Sequence, residues 1–427
     1  MSTVPPENSF PDAGLPLQGK GLGLPGGVAP AEVASLGWRI LEGEVSLPVA
    51  VLRDSALQHN LAWMRRFIDA YGVELAPHGK TTMSPELFAM QLKAGAWGIT
   101  LATAPQVRDA HRHGVRRVLM ANQLVDRANM AIVAELLGRD PDLAFCCLVD
   151  SAANADALGA FFAERRLRLR LLLEVGVAGG RSGVRDPAQA EAVVAAVRRW
   201  PQSLALVGVE TYEGVLKDEA GIRALLRRTV ATLQWLRQAG ALAEPRAILS
   251  GAGSAWFDVV AEEFAASARD PGVHVLLRPG CYLTHDAGAY REAATRIHAA
   301  NPVARGMAEG LRPALQLWAC VQSRPEPGRA IVGLGKRDAA FDAGLPLPVL
   351  HHRSGRAGAP RTTPAHWRLE GIMDQHAFLQ LAADDDLEVG DLLCFDICHP
   401  CLTFDKWRHL LRVDDAWRVT GAVRTWF

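Results

Sequence analysis

Between about Leu47 and residue 310 the chain alternates short apolar runs with amphipathic segments, and few folds accept that pattern. The runs are Val73–Pro77, Trp97–Ala102, Arg116–Ala121, Leu143–Val149, Leu169–Val175, Leu204–Thr211, Arg246–Ser250 and His274–Pro279. A strand apolar on both faces must be covered on both, as in a parallel sheet wrapped by helices. The intervening segments carry helix signals. The first predicts a helix over Ser55–Tyr71, with Asp54 or Ser55 as cap and Leu57, Leu61, Met64, Phe67, Ile68 and Tyr71 on one face. The next opens at Ser84-Pro85-Glu86, a cap followed by proline at the first helical position, and stops near Gly95. Eight strand–helix units in about 250 residues is the size of a (β/α)8 barrel. An open doubly wound sheet gives the same alternation.

The remaining residues divide around that unit. A chain of 427 residues is expected to hold two domains. Residues 1–32 are rich in Pro and Gly and read as an extended lead-in. The spacing of Gly19, Gly21, Gly23, Gly26 and Gly27 is superficially that of a dinucleotide loop, but no strand precedes it. Past residue 310, strands joined by turns are expected at Leu315–Arg324, Arg329–Leu334, Trp367–Ile372, Asp391–Ile397 and Trp417–Trp426. Ala340–Pro364, with His351-His352, reads as a long loop. The expected division is a lead-in over 1–46 that partly joins the β domain, a barrel over 47–310 and a mainly β domain over 311–427.

Charge and cysteine usage exclude several classes of partner. Lys+Arg and Asp+Glu both number 46, with no basic tail or stripe, which argues against nucleic acid and anionic membranes. No basic stretch followed by an apolar one opens the chain, and no apolar run approaches the roughly 20 residues of a membrane helix. Seven cysteines, two of them the adjacent Cys146 and Cys147, form no disulfide framework. A reducing cytoplasm is the expected location.

Several residues at the expected strand ends could carry chemistry. Lys80, in Pro77-His78-Gly79-Lys80-Thr81-Thr82, follows the first barrel strand, where active sites collect. A lysine whose pKa is lowered there can form an imine with pyridoxal phosphate. A phosphate-binding P-loop would need glycine at position 74, which is Glu74. After the seventh strand, Ser250-Gly251-Ala252-Gly253-Ser254 is a small-residue turn entering a helix, suited to cradle a phosphate with backbone N–H groups. The eighth strand ends in Arg278-Pro279-Gly280-Cys281-Tyr282, and barrels often hold phosphate between these two loops. Other strand ends carry Asn122-Gln123, Gly179-Gly180-Arg181-Ser182-Gly183 and Thr211-Tyr212-Glu213-Gly214. Arg181 could face the cofactor's phenolic oxygen or ring nitrogen, and Tyr212 could line the ring. Near the C-terminus, His399 and Cys401 in Cys398-His399-Pro400-Cys401 would share a face on an extended segment and suit zinc. Cys398 and Cys401 also form a Cys-x-x-Cys pair, which invites a redox reading, although no thioredoxin-like unit precedes it. A plain turn with buried thiols is the third alternative.

At these residues the sequence resembles the D-serine dehydratase and D-threonine aldolase family, pyridoxal-phosphate enzymes with an alanine-racemase type of barrel plus a β domain. The resemblance runs from about Leu47 to Phe427. Its markers are Pro77-His78-Gly79-Lys80-Thr81, Ala121-Asn122-Gln123, Tyr212-Glu213-Gly214, Ser250-Gly251-Ala252-Gly253, Arg278-Pro279-Gly280 with Tyr282, and His399-Pro400-Cys401. It implies Lys80 as the Schiff-base residue, the phosphate near Gly251, Gly253 and Ser254 with Tyr282 close by, and Arg181 and Tyr212 beside the cofactor. It implies His399 and Cys401 as the metal pair. His-x-Cys there resembles dehydratases, and His-x-Asp resembles aldolases, so Cys401 favours zinc and dehydration. Met373-Asp374-Gln375-His376 departs from the more acidic family motif and leaves His376 without a role. The expected activity is a D-amino-acid ammonia-lyase acting on D-serine or a related small D-3-hydroxy amino acid, in a homodimer with pyridoxal phosphate and Zn2+. Retro-aldol cleavage, racemisation and non-catalytic cofactor carriage are the alternatives.

Overall fold

In a computed structural model of the protein, residues 16–23, 27–356 and 358–427 are described, and Gly26 of the lead-in lies outside them. After two 3-10 turns (Pro30–Leu36 and Ile40–Glu42) come β1 (Val49–Arg53) and α1 (Asp54–Tyr71). Parallel strands and helices then alternate: β2 (Glu74–Leu75), α2 (Pro85–Lys93), β3 (Ile99–Leu101), α3 (Ala104–Arg112), β4 (Arg117–Gln123), α4 (Arg127–Arg139), β5 (Ala144–Val149), α5 (Ala152–Glu164) and β6 (Leu169–Val175). They continue through α6 (Pro187–Arg198), β7 (Leu204–Thr211), α7 (Glu219–Gln238), β8 (Ala247–Gly251), α8 (Phe257–Ala268), β9 (Val273–Leu277), α9 (Ala289–Ala300) and α10 (Pro302–Arg305).

Eight of these strands form one parallel sheet in the order β2-β9-β8-β7-β6-β5-β4-β3. The circle closes where Trp97 N–H donates to Leu75 O (2.7 Å), Thr100 N–H donates to Pro77 O (2.9 Å) and His78 bridges Thr100. The expected barrel is therefore present, and each of its eight strands falls within or beside its expected run. Small and branched residues, including Ala76, Leu119, Cys146, Leu148, Leu172, Ala205, Val207, Ile248 and Leu276, fill the bore. It is thus a packed core, with the chemistry displaced to its rim.

The helices follow from local signals. Leu57, Leu61, Met64, Phe67 and Ile68 of α1 are buried as their spacing predicts. Side chains of Thr103, Asp126, Ser151, Asp186 and Asp218 cap α3 to α7 by accepting the first free N–H groups. The expected cap of α1 is not made: Arg53 is the N-cap and no side chain bonds the helix end. Asp54 instead accepts from Arg412 Nε (2.7 Å) and Thr420 Oγ1 (2.6 Å), because those partners come from the other domain. Ser55 likewise donates to Asp415 (2.6 Å).

The remaining strands are β10 (Leu315–Glu326), β11 (Arg329–Val332), β12 (Leu347–His352), β13 (Arg361–Thr362), β14 (Arg368–Ile372), β15 (Ala377–Gln380) and β16 (Leu392–Asp396). After the short helix α11 (Pro400–Phe404) come β17 (His409–Val413) and β18 (Val419–Arg424). Their main order is β13-β12-β16-β10-β1-β17-β18, with β11, β14 and β15 continuing from β10. Two expectations change here. β1 lies in this second sheet, antiparallel to β10 and parallel to β17, although its residues run straight into the barrel's first helix. The segment read as a loop over Ala340–Pro364 contains β12 and β13, and His351 is buried with Nε2 2.8 Å from Asp391. Neither strand alternates cleanly in sequence, because pairing with β16 rather than local pattern holds β12 in place. The 3-10 turns at 30–42 pack against the last hairpin, where Ile40 N–H donates to Trp417 O (3.1 Å) and Val419 N–H to Trp38 O (2.8 Å).

Candidate active site

The carboxyl ends of the barrel strands surround a cleft of about 660 Å³, counted out to its open mouth, lined by Lys80, Arg181, Tyr212, Gly253, Ser254, Arg278 and Cys401 among others.

Lys80 stands on a 3-10 turn, Gly79–Thr81, immediately past β2. Burial lowers its pKa, with Arg181 and Arg278 adding to the effect and the Cys401 and Cys281 sulfurs opposing it. Gly79 is required there: a Cβ would lie 2.7 Å from Ile99 and 2.8 Å from Phe88. Gly280 serves the same end from the opposite loop, since its Cβ would fall 2.6 Å from Thr81 Oγ1 and 2.7 Å from His78 O. His78, beside Lys80, is held well below its usual pKa by burial, and its Nδ1 has no hydrogen-bond partner.

The loops after β7, β8 and β9 interlock. Gly253 N–H donates to Glu213 Oε1 (2.6 Å) and Ala252 N–H to Oε2 (3.2 Å). A Cβ on Gly253 would meet the Tyr212 ring at 3.0 Å and Glu213 at 3.3 Å. The Gly253 amide expected to face a phosphate is thus turned to the Glu213 carboxylate, a partner from a neighbouring strand end that no local motif announces. Ser254 Oγ accepts from Gly280 N–H (3.2 Å) and Cys281 N–H (3.0 Å), tying the seventh loop to the eighth. The Arg181 guanidinium lies 4.9 Å over the Tyr212 ring. Arg185 staples the Arg181 loop by donating to the carbonyls of Gly183 (2.9 Å) and Gly180 (3.2 Å).

At the cleft floor Arg278 forms a buried ion pair with Glu210 and donates to Thr211 O (3.0 Å). Burial pushes the Glu210 carboxyl up to about 7, against the pull of Arg278. Arg278 Nε and Glu210 Oε2 have no partner within the protein. The sequence places Arg278 at the end of the eighth barrel strand and in a family marker, without a role of its own. The available signal was its place at a barrel strand end, where a buried arginine needs a reason.

Three expected residues, Gly251, Tyr282 and His399, do not line the cleft. Gly251 ends β8 within the barrel wall, where a Cβ would meet Val260 and Phe264. Tyr282 is buried beneath the loop, its hydroxyl accepting from Gln91 Nε2 (3.2 Å). Tyr290, at the start of α9, lines the cleft instead and was not singled out from sequence. His376 is exposed at the turn between β14 and β15, away from the cleft.

His399 and Cys401 do not lie on one extended strand. His399 is the N-cap of α11 and Cys401 is inside that helix, because Pro400 starts a turn. Their side chains still lie close enough for each to shift the other's titration. That contact, with Asp342, raises the His399 pKa to about 9. The contact with Cys281, followed by His399 and Thr81, lowers the Cys401 thiol against the effect of burial. Asp342 Oδ2 lies 2.8 Å from His399 Nδ1, leaving Nε2 to face Cys401 or an ion. The Cys401 sulfur lies 3.4 Å from Thr81 Oγ1, next to Lys80, and 3.7 Å from the Cys281 sulfur. Among the described residues no group of three or more His, Cys, Asp or Glu side chains is arranged to hold a metal ion. An ion here would have the imidazole and thiolate as its protein donors and complete its shell with water or substrate. A nitrogen–sulfur pair suits zinc, and the open positions suit catalysis more than structure.

Comparison with known proteins finds two family models along the chain. Residues 53–285 match the family model described as alanine racemase, N-terminal domain, and residues 314–413 match the putative serine dehydratase domain. D-threonine aldolase of an Arthrobacter species is 28% identical over 309 residues, 71% of this chain and 75% of that one. D-threo-3-hydroxyaspartate dehydratase of a Delftia species is 35% identical over 137 residues, 32% of this chain and 35% of that one. A mutant of D-threo-3-hydroxyaspartate dehydratase, solved in the metal-free form, superposes with a TM-score of 0.69 at 25% identity, covering 90% of this chain and 98% of that one.

Proposed function

The chain belongs to the D-serine dehydratase and D-threonine aldolase family of alanine-racemase-type pyridoxal-phosphate enzymes, and from that premise we propose that it is a zinc-dependent ammonia-lyase for D-serine or a related D-3-hydroxy amino acid. The observation that carries this reading is the meeting of two loops from different domains: Cys401 lies 3.4 Å from Thr81, the residue after Lys80. Lys80, as base for the α-carbon, and the Cys401 sulfur, with His399 two residues before it, thus come together at one cleft.

The cleft suits pyridoxal phosphate. It holds a lysine whose pKa burial lowers, which favours the free amine that imine formation needs. It also holds two polar atoms, His78 Nδ1 and Arg278 Nε, buried without protein partners. Lys80 would anchor the cofactor, Tyr212 and Arg181 would flank its ring, and the Ser254–Trp256 turn entering α8 would receive its phosphate. When bound, the cofactor supplies an electron sink for the pair left on the α-carbon. Lys80 Nζ then takes the α-proton. His399 and Cys401 would hold zinc, whose Lewis acidity assists loss of the β-hydroxyl. Asp342 Oδ2, 2.8 Å from Nδ1, would hold a proton there, so that Nε2 could bind the metal once it releases the second proton that the raised pKa keeps on the ring. The enamine released would hydrolyse to a 2-oxo acid and ammonia.

Retro-aldol cleavage is the second reading, favoured by similarity to D-threonine aldolase over most of the chain. It would need a base on the β-hydroxyl proton, whereas the thiolate in the metal pair favours expelling the hydroxyl. A homodimer in a reducing cytoplasm completes the proposal. The test is product analysis with D-serine and D-threonine, before and after treatment with a chelator. Pyruvate and ammonia from D-serine, stopped by the chelator and restored by zinc, is the expected result. Glycine and acetaldehyde from D-threonine, with D-serine untouched, would replace it with the aldolase reading.

A further inference from the structure

Cys401 was paired in sequence with Cys398, three residues away, but the fold gives it a different neighbour. Cys398 is buried, its thiol donating to Leu345 O at 3.2 Å. The Cys401 sulfur faces the cleft, and 3.7 Å from it stands the sulfur of Cys281, 120 residues away on the loop after β9. Both sulfurs touch the Thr81 hydroxyl, at 3.4 and 3.9 Å. Cys146, Cys147 and Cys394, by contrast, are buried in the barrel and sheet interiors.

We propose that Cys281 and Cys401 form a reversible disulfide that switches the enzyme off under hydroperoxide stress. The sulfurs are already in contact and need to approach by less than the width of an atom to reach a bond of about 2.05 Å. Cys401 sits on α11, a helix of five residues, so the movement strains no large element. Cys401, partly exposed at the cleft where Cys281 is buried, meets the oxidant first. Its thiolate attacks the peroxide, breaking the O–O bond to give a sulfenic acid and hydroxide. The Cys281 thiol then attacks that sulfur, forming the S–S bond and expelling water. One peroxide is reduced to water as two thiols are oxidised. The cross-link would withdraw Cys401 from the metal and draw two loops together beside Lys80. That consequence rests on the proposed function, whereas the cross-link itself does not.

The experiment treats the full chain, with bound cofactor, with one to several equivalents of hydrogen peroxide, as purified and after exposure to a chelator. Peptides are mapped by mass spectrometry without reduction, and free thiols are counted in denaturant. The expected result is a peptide linking Cys281 to Cys401, a fall in free thiols by two from the original seven, and at least tenfold loss of activity that dithiothreitol restores. In Cys281→Ser the link is absent, and Cys401 instead carries a sulfenic acid that excess peroxide oxidises on to a sulfinic acid, which dithiothreitol does not reverse. A map with no such link in either sample, or with Cys401 joined to Cys398, overturns the proposal. Because the link is read by mass, a failed dehydratase assay leaves this outcome independent of the proposed reaction.

Discussion

Lys80 has the plainest consequence at the scale of single residues. If it anchors the cofactor, the purified protein absorbs in the visible, borohydride fixes the cofactor to the peptide containing Lys80, and Lys80→Ala loses turnover entirely. A protein that cannot be reconstituted with pyridoxal phosphate would remove the assignment. Gly253 is a sharper probe of the surrounding cradle. A side chain there meets the Tyr212 ring at 3.0 Å and the Glu213 carboxylate at 3.3 Å. Gly253→Asp also places a second acid against a buried one, which costs more than space alone. Cofactor affinity, measured by titrating the apoprotein, should fall at least tenfold, and unchanged affinity would show that the loop after β8 does not face the cofactor. The places of Lys80 and the two glycine turns at strand ends were legible in sequence because the apolar runs define those ends, whereas the bond from Gly253 N–H to Glu213 was not. Arg278, Glu213 and Tyr290 were not, because their roles come from neighbours on other strands.

At the scale of elements, α11 is a short helix held from outside. Thr403 Oγ1 donates to His399 O (3.0 Å) and accepts from Ala340 N–H (3.1 Å), which docks the helix on the segment carrying Asp342. Trp407 Nε1 donates to Asp338 O (2.8 Å) at the other end of that segment. The Asp342 carboxylate therefore reaches His399 from a fixed position. Asp342→Ala should weaken zinc binding by about 10- to 100-fold, measured by competition with a chromophoric chelator. Asp342→Asn keeps an acceptor for Nδ1–H and should recover much of that loss. Equal affinity in all three proteins would show that Asp342 does not position the imidazole. The His399-x-Cys401 spacing pointed to a shared ligand pair through a strand geometry that the fold does not use. The residues meet because Pro400 starts a helix and Asp342 turns the ring.

At the scale of the whole molecule, burial of ionisable groups sets the response to pH. Burial lowers His285 and His409 to about 4 and raises Glu210 to about 7 and Asp286 to about 6. The histidines are neutral in the fold, so stability they contribute above pH 6.5 is lost as pH falls towards 4. The two carboxyls act in the opposite sense: their contribution is present below their unfolded values and is lost as pH rises towards 7 and 6. The opposed slopes partly cancel in the wild type. Replacing one histidine exposes them. His409→Gln should lose less stability than wild type between pH 7 and pH 4, by roughly 3 kcal/mol, in urea unfolding at the two pH values. Parallel pH profiles would show that His409 titrates normally in the fold.

Local information settled the elements. Eight apolar runs specified eight barrel strands, the α1 stripe specified its buried face, and Thr103, Asp126 and Asp186 capped the helices that follow them. These features depend on residues a few positions apart, and sequence records them directly. Pairing over long separations was decided only by the tertiary structure. β1 runs straight into the barrel's first helix yet lies between β10 and β17, more than 250 residues further on. Asp54 could cap its own helix but bonds Arg412 and Thr420. Cys401 could pair with Cys398 but touches Cys281 and Thr81. In each case the partner is distant in sequence, and closing the barrel and docking the second sheet bring it into contact.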